Sequence, residues 1–95
     1  MAILDDVKIS LRISNTAYDT EITDLISAAI LDLQLSGVIA TKANDTTDSL
    51  IKRAVVIYVK AHFGYNNPDA ERLLKSYDLL KSHLTLAEEY NTEVE

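Results

Sequence analysis

The longest apolar stretch of the chain runs from Leu50 to Tyr65, and its only exceptions are Lys52, Arg53, Lys60, His62 and Gly64. Residues 55–59 alone, Val-Val-Ile-Tyr-Val, would suit a buried strand, because β-branched and aromatic residues favour strands. The run is longer than most strands, however, and Gly64 is its first breaker. It therefore predicts a helix over residues 48–64, apolar around most of its circumference and surrounded by its neighbours.

Two shorter apolar patterns precede this stretch. Leu4, Val7 and Leu11 follow helical spacing and predict a helix over residues 4–11, although alternation through Ile13 leaves a strand possible. Residues 20–35 repeat apolar side chains at i, i+3, i+4 and i+7, and Gly37 provides a stop signal. They predict an amphipathic helix with Asp19 or Thr20 as its N-cap.

Residues 38–47 show no periodic pattern and are expected to form a long loop. Asn67 followed by Pro68 is a helix-start signal, which predicts a last helix over residues 68–81. The tail, residues 84–95, has little apolar surface. It is expected either to fray or to order on a neighbouring subunit, with fraying favoured from Asn91 onward.

These elements predict an all-α fold, a bundle of about four helices in a single domain over residues 1–95. The chain contains only 2 Gly and 1 Pro, so few turns are available for a many-stranded fold. The predicted core residues are Leu25, Ile26, Ala29, Ala54, Val55, Tyr58, Leu73, Leu74 and Tyr77.

The charge balance and composition exclude several classes of protein. The net charge is −6, whereas nucleic-acid binding needs clustered Lys and Arg, so tight DNA binding is not expected. The chain has no cysteine, which excludes disulfides and thiolate metal sites. We expect neither a signal peptide nor a membrane-spanning segment, and thus a soluble protein made in a cytoplasm.

No pattern of catalytic residues is present. His62 and His83 are the only histidines, and their spacing matches no metal motif, so a packed or rim histidine is the simpler interpretation of His62. The adjacent acids Asp5 and Asp6 suit the dipole of a helix start better than paired chemistry. We expect no enzyme, no cofactor, no metal site and no catalytic residue.

The apolar content is large for three short partner helices to cover. Part of the surface is therefore expected to form a subunit interface, and a heterologous contact that closes makes a ring. The predicted interface residues come from the long loop and the tail: Ala40, Thr41, Lys42, Asn44, Leu84, Leu86 and Tyr90.

Four segments together resemble the small head-to-tail connector proteins (head-completion or adaptor proteins) of tailed bacteriophages. Residues 4–13 are similar to the family's L-x-x-V-K-x-x-L-R-I opening, and residues 19–33 to its D-x-x-L-x-x-L-I-x-A-A helix. Residues 50–65 resemble its central helix, and residues 73–77 its closing L-L-x-x-Y. Family members often carry an aromatic and Gly-Arg-Pro stretch after the second helix, which residues 35–38 lack, so loop 38–47 has no family template. The tail after Leu80 carries no family motif.

The resemblance implies a structural virion protein, made in the host bacterial cytoplasm and located at the head–tail junction. Several copies would form a ring beneath the portal that extends the DNA channel. The implied partners are further copies, the portal protein and the next head-completion or tail protein, with no membrane. DNA would pass without specific binding, which an acidic channel would favour.

Two other functions remain open from the residues alone. A small antitoxin-like or adaptor-like interaction module would share the same composition. A helix-turn-helix regulator is disfavoured, because the connection between the second and central helices is much longer than the usual turn.

Overall fold

A computed structural model describes residues 3–64 and 67–91, and every regular element within them is a helix. The helices are α1 (Ile3–Leu11), α2 (Asp19–Ser36), α3 (Ala40–Ala43), α4 (Ser49–His62), α5 (Ala70–Leu86) and α6 (Glu88–Asn91). The predicted all-α bundle is confirmed. The boundaries of several elements differ from the predicted ones, as described below.

Helix α4 is the centre of the bundle. It begins at the Asp48 N-cap, whose carboxylate accepts hydrogen bonds from the Leu50 and Ile51 amides at 2.9 and 3.3 Å. It ends at His62, two residues before the predicted end at 64. Half of its residues are buried: Ile51, Ala54, Val55, Val56, Ile57, Val59 and Ala61. An apolar run on most faces of one helix is satisfied here because other helices pack around it.

Helices α2 and α5 pack against α4, and both run antiparallel to it. The Tyr18 and Phe63 rings meet edge to face at 5.6 Å, so the start of α2 lies at the end of α4. The Tyr58 and Tyr77 rings meet at 5.2 Å and join α4 to α5. Gly37 ends α2 as predicted, with a φ of 122° that favours glycine. Asp19, proposed as a cap, is instead the first residue of α2.

Helix α1 is joined to the bundle by two lysine–carboxylate pairs. Lys8 Nζ lies 2.7 Å from an Asp19 oxygen at the start of α2, and Lys52 Nζ lies 3.3 Å from an Asp6 oxygen. Both carboxylate oxygens are buried, so these lysines compensate charges that would otherwise be costly. The helix ends at Leu11, and the next residue, Arg12, has a φ of 61°, which is unusual for a residue with a side chain.

The predicted loop over residues 38–47 contains a helix. Ile39 precedes the single turn α3, and the Asn44 side-chain amide donates back to the Ala40 carbonyl at 2.9 Å. The pattern was missed because one turn is too short to show periodicity. Ala43 is fully buried, so α3 also contributes to the core.

The last long helix is shifted and longer than predicted. Asn67 does not cap it directly, because its side chain accepts from the Asp69 amide within a turn and α5 begins at Ala70. The helix then continues to Leu86, five residues beyond the predicted end at 81. The tail, which was expected either to fray or to order on a neighbouring subunit, forms the end of α5 and then α6 within its own chain. The predictions for residues 92–95 lie outside the described residues, as does Tyr65.

Candidate interface for subunits and partners

Two of the predicted interface residues lie inside the protomer, and this is a correction. Leu84 is 1% exposed and Tyr90 is 6% exposed, and both belong to the hydrophobic core. A side chain covered by its own chain is not available to a neighbouring subunit. The sequence pattern did not reveal this, because both side chains are buried by residues distant in sequence.

Tyr90 connects α6 to residues Asp48 and Ile39, which precede α4 and α3. Its hydroxyl donates to the Asp48 carboxylate, with distances of 2.9 and 3.1 Å to the two oxygens. Its carbonyl accepts from the Ile39 amide at 2.8 Å, and Lys42 Nζ lies 5.5 Å from its ring centroid. Burial, with the hydrogen bond to Asp48 and its negative charge, raises the pKa of Tyr90 to about 12. One side chain thus joins α6 to the N-cap of α4.

The other five predicted interface residues lie nearer the surface. Ala40, Thr41 and Asn44 are exposed, and Lys42 is half-buried over the Tyr90 ring. Leu86 is 82% exposed, in the same helix as buried Leu84. Their role in an interface stays a prediction.

The predicted core residues are distributed over three environments. Ile26, Ala29, Ala54, Val55 and Tyr77 are buried in the core, and Leu25, Tyr58 and Leu73 are half-buried against it. Leu74 is 37% exposed and does not belong to the core, which is a correction. It adjoins Leu73 on α5, and neighbouring helix positions point about 100° apart.

A polar cluster bridges α2 and α5 beside the core. Asp32 accepts hydrogen bonds from the Tyr77 hydroxyl at 2.5 Å and from Lys81 Nζ at 3.1 Å. Burial opposes ionisation of Asp32, but these hydrogen bonds and the Lys81 charge outweigh it and hold the pKa of Asp32 below its usual value. Burial and the same carboxylate raise the pKa of the Tyr77 hydroxyl. The cluster fixes α5 against α2 and is consistent with a structural role.

The surface carries several large apolar side chains that the protomer leaves uncovered. On α2, Leu31 is 54% and Leu35 is 79% exposed. Each lies two positions from fully buried Leu33, about 160–200° around the helix, so they face away from the core. The others are Ile9, Tyr18, Leu50, Leu74, Leu79 and Leu86. Exposed leucines at i and i+4 on one helix form a stripe that a binding partner can cover.

The sequence reasoning missed Leu31 and Leu35. A signal was available, because both lie off the inner stripe of α2 that includes Ile26, Ala29 and Leu33. Leucines outside the apolar stripe of an amphipathic helix are candidates for contact. They were overlooked because a generally apolar helix was interpreted only for its core.

The described residues show no arrangement for metal chemistry or for crossing a membrane. Within residues 3–64 and 67–91, no three His, Asp or Glu side chains are close enough together to hold a metal ion. In the same part of the chain, none of the helices combines the length and apolarity that a membrane span requires. His62 stacks on Tyr58 with ring centroids 4.3 Å apart, as expected for a rim histidine.

The fold and surface define a small all-α protein whose distinctive features are uncovered apolar side chains. A family model described as "Phage connector protein" matches residues 3–91. The chain therefore belongs to the phage connector protein family, whose members are structural components of the phage particle. Comparisons with curated proteins and with solved structures gave no match.

Proposed function

We propose that the protein forms a ring beneath the portal of the phage capsid and joins the head to the tail. The observation that carries this proposal is the family match over residues 3–91, which includes every helix of the fold. In this role the protein acts by binding, without catalysis or a cofactor. Its site of action is the head–tail junction of the virion.

The surface supports a protein with more than one neighbour. Exposed leucines and isoleucines occur on α1, α2, α4 and α5, so apolar contact area is available in several directions. A ring subunit needs two faces for its neighbours and further surface for the proteins above and below it. An open surface along α5 that includes Leu79, Arg72 and Lys75 is available for the portal or the next connector.

The charge supports passage of DNA without retention. The net charge is −6, and the exposed Glu88 and Glu89 add to the negative surface at the end of the chain. An acidic channel repels phosphate over roughly a Debye length, about 8 Å at physiological salt. Changing Glu88, Glu89 and Glu93 to Gln tests whether these acids line the channel. Unaltered assembly and DNA passage would show that they do not.

The first experiment is the mass of the purified protein, measured by light scattering across a concentration series. A discrete large oligomer is expected, because a ring closes at one copy number. If the protein is monomeric alone, adding purified portal protein should drive its assembly. A stable dimer, or a monomer that ignores the portal, would contradict the ring.

A further inference from the structure

Two faces of the protomer carry opposite charges that remain unpaired. We name as the acid–leucine face Glu21, Asp24, Leu31 and Leu35 of α2. We name as the basic face Leu50, Arg53 and Lys60 of α4. Among the ion pairs of the described residues, none includes a charged group of either face. Both faces are therefore charged surfaces without a partner inside the protomer.

The acid–leucine face is a single stripe along α2. Asp24, Leu31 and Leu35 are separated by seven and four residues, so they lie within about 40° of one another around the helix. Glu21 is exposed at the start of the same side. The stripe lies opposite the inner positions of α2 that pack on the core, such as Leu33.

The basic face is a narrow exposed strip of α4, because Ile57, which lies between Leu50 and Arg53 around the helix, is only 6% exposed. Leu50, Arg53 and Lys60 lie within about 80° of one another around the helix. Leu50 is 46% exposed, Arg53 is exposed and Lys60 is half-buried. Ile51 and Val55 lie about 200° from Arg53 and are fully buried. Because each stripe lies opposite the buried positions of its own helix, the two faces are on different sides of the protomer.

The two stripes have similar lengths, so their residues can pair when the two helices run antiparallel. Asp24 and Leu35 are about 16 Å apart along α2, and Lys60 and Leu50 are about 15 Å apart along α4, at about 1.5 Å per residue. In a ring, neighbours related by a small rotation keep α2 of one copy antiparallel to α4 of the next. In this register Asp24 meets Lys60, Leu35 meets Leu50, and Leu31 lies level with the apolar stem of Arg53.

We infer that the acid–leucine face of one copy packs on the basic face of the next copy. The inference rests on the proposed ring and specifies its subunit contact. The occupant is a second copy because the same chain carries both faces, and these have opposite charges and each include exposed leucine. Such a contact is heterologous, since two different faces meet, and it therefore propagates around a ring instead of stopping at a dimer.

Charge reversal on each face tests the contact. The first variant is Glu21→Lys with Asp24→Lys, and the second is Arg53→Glu with Lys60→Glu. Each places like charges in the contact, so we expect the concentration for half-assembly to rise at least about tenfold. Light scattering measures this concentration, and circular dichroism confirms that these surface variants remain folded.

Mixing the two variants gives the sharpest result. The first variant has two positive faces and the second has two negative faces, so neither should assemble alone at the concentration at which the wild type assembles. An equimolar mixture should assemble near the wild-type concentration, with the two variants alternating. The chain carrying all four substitutions should also recover assembly, because its faces are complementary again with the signs exchanged.

Two control variants each change the net charge by the same amount as a single face substitution, at positions outside both faces. Arg12→Glu, after the end of α1, matches Arg53→Glu, and Asp5→Lys, on α1, matches Asp24→Lys; both control positions are exposed. Both controls should assemble like the wild type. If the wild type assembles and the two face reversals do not weaken it, or if the controls weaken it equally, the inferred contact is wrong and the ring stands. If the wild type assembles neither alone nor with portal protein, the ring and this contact both fail.

Discussion

The C-terminal end of the chain and the outer face of α2 have similar residues and opposite environments. The segment from Leu84 to Asn91 contains leucine, tyrosine and acidic side chains, and Leu84 and Tyr90 are buried by the rest of the chain. The outer face of α2 also combines leucines with acids, and Leu31 and Leu35 are more than half exposed. Composition alone does not distinguish a segment that completes the core from one that awaits a partner.

The difference comes from the contacts that the neighbouring elements provide. α6 is held by side-chain and backbone hydrogen bonds to residues more than 40 positions away, at Asp48 and Ile39. The outer face of α2 is directed away from α4 and α5, so no element of the described chain covers it. A leucine is part of the core or part of an interface according to what lies opposite it.

The largest expected effect on stability is a difference between two leucines of α5, buried Leu84 and exposed Leu86. Leu84→Ala should lower the free energy of unfolding by about 2–5 kcal/mol, because it removes a buried side chain and leaves a cavity. Leu86→Ala is the matched control, since Leu86 is 82% exposed and should change stability by no more than about 0.5 kcal/mol. Urea denaturation of both variants measures the difference. Equal effects would show that the end of α5 is not packed as described.

The Tyr90 hydroxyl should contribute less to the free energy of unfolding than the buried Leu84 side chain does. Tyr90→Phe keeps the ring in the core and removes the hydrogen bond to the Asp48 carboxylate, so unfolding should cost about 1.5 kcal/mol less. Tyr18→Phe provides the control, because Tyr18 is 47% exposed. Chemical denaturation at neutral pH compares the two. A Tyr90→Phe variant as stable as the wild type would mean that α6 is held by its ring and backbone alone.

Alkaline pH offers a reversible test of the same contact. The pKa of Tyr90 is raised to about 12, above the value of about 10 for tyrosine in an unfolded chain. Above pH 10 the unfolded chain binds fewer protons than the folded one, so stability should be fully present below pH 10 and fall between pH 10 and 12. The loss should be smaller in Tyr90→Phe, with the remainder from Tyr77, whose pKa is also raised. Stability measured across this range in both proteins checks the sign, and identical profiles would contradict it.

The smallest effect on stability is expected on the outer face of α2. Leu31→Gln with Leu35→Gln should change the free energy of unfolding by no more than about 0.5 kcal/mol, since both side chains are exposed and glutamine is a good helix former. Assembly should nevertheless weaken, because these leucines belong to the inferred contact. Denaturation and light scattering on the same sample separate the two effects. A large loss of stability would place the leucines in the core instead.

Much of the fold was predictable because it depends on local patterns. The inner stripe of α2 and the long apolar run of α4 repeat often enough to reveal their period, and Gly37 marks the end of α2 through its own backbone preference. α3 and α6 were not predicted, because each is only 4 residues long and shows no period. The interface residues were less predictable still, since exposure depends on which helix covers which face.

The sequence by itself determined an all-α bundle around a central apolar helix, and its motifs indicated a phage connector. Helical periodicity and apolar content can be read from the sequence, because neither depends on which helices are in contact in the folded protein. Only the tertiary structure decided that Leu84 and Tyr90 complete the core while Leu31 and Leu35 remain on the surface. The physical reason is that burial depends on contacts between residues far apart in the chain, such as Tyr90 with Asp48, which no local pattern encodes.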